Sequence, residues 1–296
     1  MKRWHVLCVS TLVLFGAWAV TPKAKAIGDF SGFQQQALST LGILPVLIFL
    51  LLSRRSRGGA APLRGSILAF VSGVLTASGN IAYYQAVKGD NPATTIAPLT
   101  ALYPLVTVIL AMILLREKPN LIQIFGILLA LAALYVLNPL GEKASLGSVK
   151  ILVILPIALW GVAGIVQKLA TRCVSAERAT LWFLAAFLPM AAGILIHDGG
   201  VDGMLTAEGW GLMALLGLLF AVGNLTLLMA YATGGKASVV APISGLYSVV
   251  SIPLAMILFK EQVGREQAIG IGLCLAAVVA LSIEREAEPP ALPSER

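Results

Sequence analysis

Two apolar stretches of this chain carry hydroxyl side chains at helical spacing. Thr100, Tyr103 and Thr107 are separated by three and four residues, so a helix would place them on one face. Ser244 and Tyr247 repeat the first two positions of that pattern later in the chain. Together these uncharged hydrogen-bonding groups could hold a neutral or zwitterionic solute. Taken singly, each serine or threonine is explained more simply by helix packing or by a bond to its own backbone.

Amides and aromatic rings extend this candidate site. Asn80 and Asn224 occupy equivalent places in two similar segments, and a buried amide needs hydrogen-bond partners. Tyr83 and Tyr84 follow Asn80 by about one helical turn. Two tryptophans on further apolar stretches could be ligand platforms, or core or interfacial aromatics. The candidate solute-binding residues are Trp18, Asn80, Tyr83, Tyr84, Thr100, Tyr103, Trp160, Asn224, Ser244 and Tyr247.

Other kinds of chemistry find little support in the sequence. Cys8, Cys173 and Cys274 are scattered and odd in number, which predicts neither a disulfide framework nor a ligand cluster. His5 and His197 lie far apart near the ends of apolar stretches, where an interfacial role is favoured over metal binding. Paired carboxylates and nucleophile-base pairs are missing from the apolar stretches. We therefore expect no metal, no cofactor and no enzymatic activity.

The composition shows what must position these residues. Of the 296 residues, 58% are hydrophobic and only 12% are charged, and the mean hydropathy is +0.90. Soluble domains carry roughly 25% charged residues. The sequence therefore predicts a protein that is embedded in a lipid bilayer.

Ten apolar stretches are each about long enough to cross the bilayer as a helix, which takes roughly 20 residues. The predicted fold is an all-α polytopic membrane protein with ten transmembrane helices. The spans cover approximately residues 4–21, 33–52, 65–87, 93–115, 120–138, 148–168, 178–197, 209–232, 237–259 and 265–283.

The chain contains an internal repeat. A shift of 144 residues aligns 79–138 with 223–282 without a gap, and 23 of the 60 pairs are identical. Five helices per unit put the two copies in opposite orientations across the membrane, and such inverted repeats are typical of secondary transporters. We expect a first repeat over residues 1–140, a second over 147–283 and a disordered cytoplasmic tail over 284–296.

Each copy has a proline inside its fourth helix, Pro98 in the first and Pro242 in the second. Proline removes a backbone hydrogen bond and bends a helix. In a transporter such a bend could be a hinge, and a static kink near the helix start is an equal alternative. Small residues four apart in the fifth and tenth spans predict packing faces, which could seal each repeat or join two protomers, so a homodimer is possible.

The distribution of basic residues predicts the orientation. With the N-terminus inside, 14 of the 21 lysines and arginines lie on the cytoplasmic side, and both termini are cytoplasmic. The formal charge of +7 is then explained by topology and by anionic lipid headgroups, so no nucleic-acid partner is needed. The N-terminal segment imitates a signal peptide, but its similarity to the sixth span favours its retention.

The repeated segments resemble a known family. "APLTALYPLVTVILAMILLREK" (97–118), "IQIFGILLALAALYVL" (122–137) and the second copy that begins "APISGLYSVVSIPLAMILFKEQ" (241–262) are similar to EamA-type domains of the drug/metabolite transporter superfamily. So are the Phe-Gly and Trp-Gly pairs at residues 15–16 and 160–161.

The resemblance implies a carrier of the bacterial inner membrane with a central cavity. Such carriers export or exchange small metabolites, often amino acids, by alternating access, and their fourth and ninth helices line the cavity. The intramembrane carboxylate of the small four-helix multidrug members has no counterpart here, which argues against cation export.

Three functional hypotheses follow. The leading one is a secondary carrier for a small polar or zwitterionic metabolite. A carrier of sugars or phosphorylated metabolites is a rival of the same class, and phosphate would call for basic groups of which only Lys23 and Lys168 qualify. The rival of a different class is a non-transporting membrane protein in lipid handling or assembly.

Overall fold

The computed structural model describes residues 3–28, 30–88, 91–116, 120–137, 148–198, 200 and 205–283. The secondary-structure elements named within these residues are all helical. They are α1 (Arg3–Val20), α2 (Gly32–Leu52), α3 (Pro62–Val87), α4 (Ala93–Thr100), α5 (Tyr103–Leu114), α6 (Leu121–Leu137), α7 (Ser148–Cys173), α8 (Ala176–Ala185), α9 (Phe187–His197), α10 (Ala207–Ala232), α11 (Ala237–Gly245), α12 (Ser248–Phe259) and α13 (Arg265–Ser282), with short 3₁₀ turns at Thr21–Lys23, Lys25–Ile27 and Arg54–Arg57.

The predicted ten-span fold is confirmed. Within the described residues, nine spans are long and apolar enough to cross a bilayer, and a shorter apolar helix at Leu121–Ala133 supplies the tenth. Three spans consist of two helices each, namely α4 with α5, α8 with α9, and α11 with α12. Residues 138–147, which include the linker between the predicted repeats, and the predicted disordered tail (284–296) lie outside the described residues.

The helix starts follow ordinary capping chemistry. The hydroxyl of Ser31 accepts from the Gln34 amide at the start of α2, and the Gln34 side chain accepts from the Ser31 amide in return. Ser175 and Thr206 accept from backbone amides at the starts of α8 and α10. These residues satisfy amide groups that would otherwise lack partners near the membrane surface.

The two repeats interdigitate rather than fold side by side. Helix α3 packs on α7, α1 on α10 and α6 on α13, so each of these pairs joins one repeat to the other. Equivalent glycines make equivalent crossings. A Cβ on Gly73 would overlap the carbonyl oxygen of Phe183, and a Cβ on Gly217 would overlap that of Ser39. A two-fold pseudo-symmetry therefore relates the repeats in space as well as in sequence.

The fourth and ninth spans are broken at equivalent places. The first break follows Pro98 by three residues, at Ala101 and Leu102. Pro104, in the first turn of the next helix, has no N–H to bond the turn before it. The second lies at Leu246 and Tyr247, where the backbone makes 3₁₀ hydrogen bonds. Each repeat therefore contains one transmembrane span whose helix is interrupted part of the way along.

The breaks touch each other. A Cβ on Gly245 would lie 2.8 Å from Cγ of Pro104 and 3.1 Å from the Ala101 carbonyl oxygen. Only a glycine allows the second break to approach the first so closely. The contact places the two broken spans back to back at the interface between the repeats.

The small residues of the fifth span serve packing within the chain. A Cβ on Gly126 of α6 would lie 3.1 Å from the Ala277 carbonyl oxygen of α13. The side-chain amide of Gln123 donates to the carbonyl oxygens of Leu281 (3.1 Å) and Ser238 (3.4 Å). Pro242 has no N–H to bond the Ser238 carbonyl within α11, so Gln123 satisfies an acceptor that the proline leaves open.

Candidate functional site

A small cavity lies where α1, α3, α7 and α10 meet the two helix breaks. Its free volume is about 50 Å³, enough for a few water molecules. Both repeats contribute to its wall. The lining residues are Phe15, Trp18, Thr76, Asn80, Tyr103, Trp160, Ala163, Gly164, Gln167, Phe220, Asn224, Leu227, Tyr231 and Tyr247.

Tyr103 and Tyr247, the tyrosines next to the two helix breaks, form reciprocal hydrogen bonds, and we call them the break tyrosines. The Tyr103 hydroxyl lies 2.6 Å from Oγ of Ser244 and 3.4 Å from the Ala241 carbonyl oxygen on α11. The Tyr247 hydroxyl lies 2.9 Å from Oγ1 of Thr100, with the carbonyl oxygen of Ala97 on α4 at 3.1 Å. Each tyrosine therefore joins its own break to the opposite repeat, and both phenols are buried.

The two asparagines sit in different surroundings. The indole N–H of Trp160 donates to Oδ1 of Asn80 at 3.1 Å and to the Thr76 carbonyl oxygen at 3.3 Å. Nδ2 of Asn224 donates to its own helix at the Phe220 carbonyl oxygen (2.9 Å). Oδ1 of Asn224 accepts from the Gln167 amide at 3.5 Å. Both side chains are almost completely buried.

Three aromatic side chains close one end of the cavity. The Trp18 ring stacks on Tyr83, with centroids 5.2 Å apart, and its N–H donates to the Tyr84 hydroxyl at 3.1 Å. The Tyr83 hydroxyl donates to the Ala19 carbonyl oxygen at 2.6 Å. We call Trp18, Tyr83 and Tyr84 the aromatic cluster, and it separates the cavity from the end of α1.

An ion pair lies beyond the aromatic cluster at the same end of the bundle. Nζ of Lys23 is 2.5 Å from Oε1 of Glu261 and 2.7 Å from the Asn91 carbonyl oxygen. The Glu261 carboxylate also accepts from the amides of Ala93 (3.0 Å) and Thr94 (2.8 Å), which begin α4. Burial raises the pKa of Glu261, but these hydrogen bonds outweigh it, so the pKa lies below its ordinary value.

The opposite end has an equivalent lysine. Nζ of Lys168 donates to the carbonyl oxygens of Gly235 (2.5 Å) and Tyr231 (3.0 Å). Lys168 aligns with Lys23, and Gly235 aligns with Asn91, so both lysines bind the segment that precedes a broken span. Glu117, the position aligned with Glu261, lies outside the described residues.

The cavity wall contains some of the sequence-predicted candidates. Six of them line it, namely Trp18, Asn80, Tyr103, Trp160, Asn224 and Tyr247. Thr100 and Ser244 lie behind the break tyrosines, and Tyr83 and Tyr84 lie behind Trp18. Thr76 shares a polar helix face with Asn80, whereas sequence reasoning did not select Gln167, Tyr231, Phe15 and Phe220. Gln167 was detectable as a polar residue inside an apolar span.

The wall is mostly apolar and carries several uncharged hydrogen-bonding groups. Its described hydrogen-bonding groups are amides, phenols, indoles and one threonine, and aromatic rings provide much of the remainder. Within the described residues, no three His, Cys, Asp or Glu side chains come together as a metal site would require. This arrangement can hold a small solute through hydrogen bonds and ring contacts.

Comparison with known proteins agrees with the fold and the repeat. The model of the EamA-like transporter family matches twice, at residues 2–138 and 148–283. A crystal structure of another protein matches with a TM-score of 0.72 at 19% sequence identity, over 95% of this chain and 98% of that one, which shows a shared fold. No curated protein sequence matches significantly. Because the two family matches together cover most of the chain, it belongs to the EamA-like transporter family and is an integral membrane transporter.

Proposed function

We propose that this transporter is a secondary carrier that moves a small polar or zwitterionic metabolite, such as an amino acid, by alternating access. The observation that carries the proposal is the uncharged cavity, mostly apolar but lined by several hydrogen-bonding side chains, that both repeats build at their interface. Solute sites of inverted-repeat carriers lie at such interfaces, next to discontinuous helices. The breaks at Ala101 and Leu102 and at Leu246 and Tyr247 meet that description.

The size of the cavity supports a conformational step. A volume of about 50 Å³ admits a few water molecules and is too small for a metabolite. Solute binding therefore requires the surrounding helices to separate. The breaks that follow Pro98 and Pro242 are our candidate hinges, since a short interrupted segment absorbs a rotation more easily than a continuous helix.

The two ends of the bundle supply candidate gates. Lys23 and Glu261 tie the end of α1 to the start of α4, and Lys168 ties α7 to the segment before α11. We propose that one set of contacts opens while the other stays closed. The aromatic cluster would move with the Lys23 end, because Trp18 belongs to the same helix.

The rival functions receive less support from the site. A phosphorylated substrate would need a basic group in the cavity, but Lys23 and Lys168 bind backbone carbonyls at the two ends, and neither lines the cavity. An uncharged sugar is compatible with the wall and belongs in the test panel. A lipid-handling or assembly protein has no evident use for several buried hydrogen-bonding groups around a small cavity between its repeats.

We further propose export or exchange across the bacterial inner membrane, with both termini cytoplasmic. The arginine-rich turn Arg54–Arg57 and the Arg172 and Arg178 side chains lie at the end where α1 begins, and cytoplasmic ends are rich in basic residues. A homodimer stays a prediction, and the cavity is built without a second copy.

The test is counterflow into proteoliposomes loaded with amino acids, sugars, polyamines or organic phosphates. We expect accumulation of one class, most of it lost in the Asn80→Ala/Asn224→Ala double variant. Gly272→Ala is the matched control, because a Cβ there meets open space. Absence of counterflow for every class, with wild-type protein folded and inserted, would contradict the proposal.

A further inference from the structure

The aligned asparagines differ in one hydrogen bond. Nδ2 of Asn80 is buried and has no acceptor among the described residues, whereas Nδ2 of Asn224 donates to the carbonyl oxygen four residues earlier. Buried amide donors in folded proteins almost always have partners. Asn80 also lines the cavity, so this donor without an acceptor lies in the wall of the candidate site.

Trp160 is the cause of the difference. The carbonyl oxygen four residues before Asn80 belongs to Thr76, and it accepts from the Trp160 indole instead. The same N–H occupies Oδ1 of Asn80. Because an indole N–H can only donate, the Asn80 atom that faces Trp160 is the oxygen, and Nδ2 takes the other side of the amide plane.

The second repeat lacks this indole. Phe15 aligns with Trp160 and packs in the same way. A Cβ on Gly79 would lie 2.5 Å from Nε1 of Trp160, and a Cβ on the aligned Gly223 would lie 2.6 Å from Cε1 of Phe15. A phenyl ring has no N–H to compete for the Phe220 carbonyl oxygen, so Asn224 bonds its own helix.

We propose that Trp160 positions Asn80 so that Nδ2 binds a carboxylate or carbonyl oxygen of the transported solute, while Asn224 serves the structure of the cavity wall. The inference rests on the proposed carrier function and adds the substrate class to it. Among the described lining residues none is anionic, so a carboxylate would meet no repulsion there. Phe15, Trp18 and Phe220 offer apolar surface to the rest of the solute.

The test measures binding with matched probes by isothermal titration calorimetry of the full chain in nanodiscs. The probes are leucine and phenylalanine, each as the amino acid, the amino-acid amide and the decarboxylated amine. Wild-type protein is expected to bind the acid or the amide about ten- to hundredfold more tightly than the amine. Tighter binding of the acid than of the amide assigns a carboxylate, and equal binding assigns a carbonyl oxygen.

The variants separate positioning from general packing. Asn80→Leu should bind all three forms equally, and Trp160→Phe should reduce the preference to about threefold or less, because Nδ2 can then turn to the Thr76 carbonyl oxygen. Asn224→Leu should change the affinity for all three forms by one common factor. Trp182→Phe, an exposed tryptophan outside the cavity, is the control for loss of an indole.

Two results would overturn the inference. One is an Asn80→Leu or Trp160→Phe protein that keeps the wild-type preference, and the other is wild-type protein that binds none of the six probes. Failure of the carrier proposal gives a different result. A protein that binds these probes with the expected preference but shows no counterflow would support the binding site and contradict the transport function.

Discussion

The two halves of the cavity have the same backbone and different contents. In the first repeat Trp18 fills the end of α1, whereas the aligned residue of α7 is Ala163. Likewise Tyr84 bonds Trp18, while the aligned Leu228 has an apolar side chain. The bulky residues therefore block the Lys23 half, and the smaller ones leave space in the Lys168 half.

The comparison shows that the residues that pack the helices together are symmetric between the repeats, whereas the side chains that face the cavity are not. The crossing glycines, the tyrosines at the helix breaks and the lysines Lys23 and Lys168 are matched between the repeats. The side chains that face the cavity are matched only in part.

The largest effect is expected at the matched crossings. Gly73→Val and Gly217→Val should each destabilise the folded protein by roughly 3 kcal/mol or more, because the new side chain meets a carbonyl oxygen of another span. Thermal unfolding in detergent, monitored by size-exclusion chromatography, measures this loss. Gly272→Ala should be as stable as wild type. A Gly217→Val protein that is also as stable as wild type would contradict the symmetric packing of the two repeats.

Removing the Trp18 side chain should have the next largest effect. Trp18→Ala makes the first repeat resemble the second and should cost about 3 kcal/mol, since a buried ring and its bond to Tyr84 are lost. Water-soluble thiol reagents should then label a cysteine at Ala163 faster from the Lys23 end than they do when Trp18 is present. Ala163→Gly, the aligned change, should cost about 1 kcal/mol or less. Equal losses in the two variants would contradict the difference between the halves.

The ion pair should make the Lys23 end sensitive to pH. Because the pKa of Glu261 is lowered in the folded protein, its stabilising contribution is present above the ordinary range of a carboxyl group. It is lost as the pH falls through the folded-state pKa. We expect the melting temperature of wild type to drop in acid.

Matched variants test the ion pair directly. Glu261→Gln should reduce the loss of stability in acid, and it should lower the free energy of unfolding by about 2 kcal/mol at neutral pH. Lys23→Met should cost a similar amount, because it leaves the carboxylate with only the backbone amides of α4. An unchanged pH profile in Glu261→Gln would show that another group titrates.

The smallest effect is expected at the break tyrosines. Tyr103→Phe and Tyr247→Phe each remove one phenol hydroxyl from a reciprocal bond and should cost about 1 kcal/mol each. Thermal unfolding of the two variants measures the costs. Costs that differ by more than about 1 kcal/mol would show that one break is held more tightly, and would sharpen the comparison.

Much of the fold was accessible from sequence because apolar length and an internal repeat are strong signals. The breaks were harder to predict. Pro98 and Pro242 drew attention to the fourth and ninth spans, but the first break depends on Pro104 and the second has no proline at its aligned position, Ser248. The break between α8 and α9 is marked only by Pro189, which leaves the carbonyl four residues earlier without its helical donor.

Duplicated polar residues of the cavity wall were selected from the sequence, as were Trp18 and Trp160, which the repeat does not duplicate. Asn80 and Asn224 recur at the repeat spacing, so they were selected. Gln167 and Tyr231 align with Pro22 and Val87, so the repeat pattern does not mark them as polar positions. The free donor of Asn80 depends on the three-dimensional position of the Trp160 ring, which no spacing rule supplies.

Alternating access across the pseudo-symmetric frame is tested most directly by side-specific labelling of one cavity residue. Ala163→Cys in a variant without Cys8, Cys173 and Cys274 places one thiol in the cavity wall. We expect an impermeant thiol reagent to label it from either side of a proteoliposome, and a transported solute to slow both reactions. Labelling from one side only, under every solute condition, would contradict alternating access.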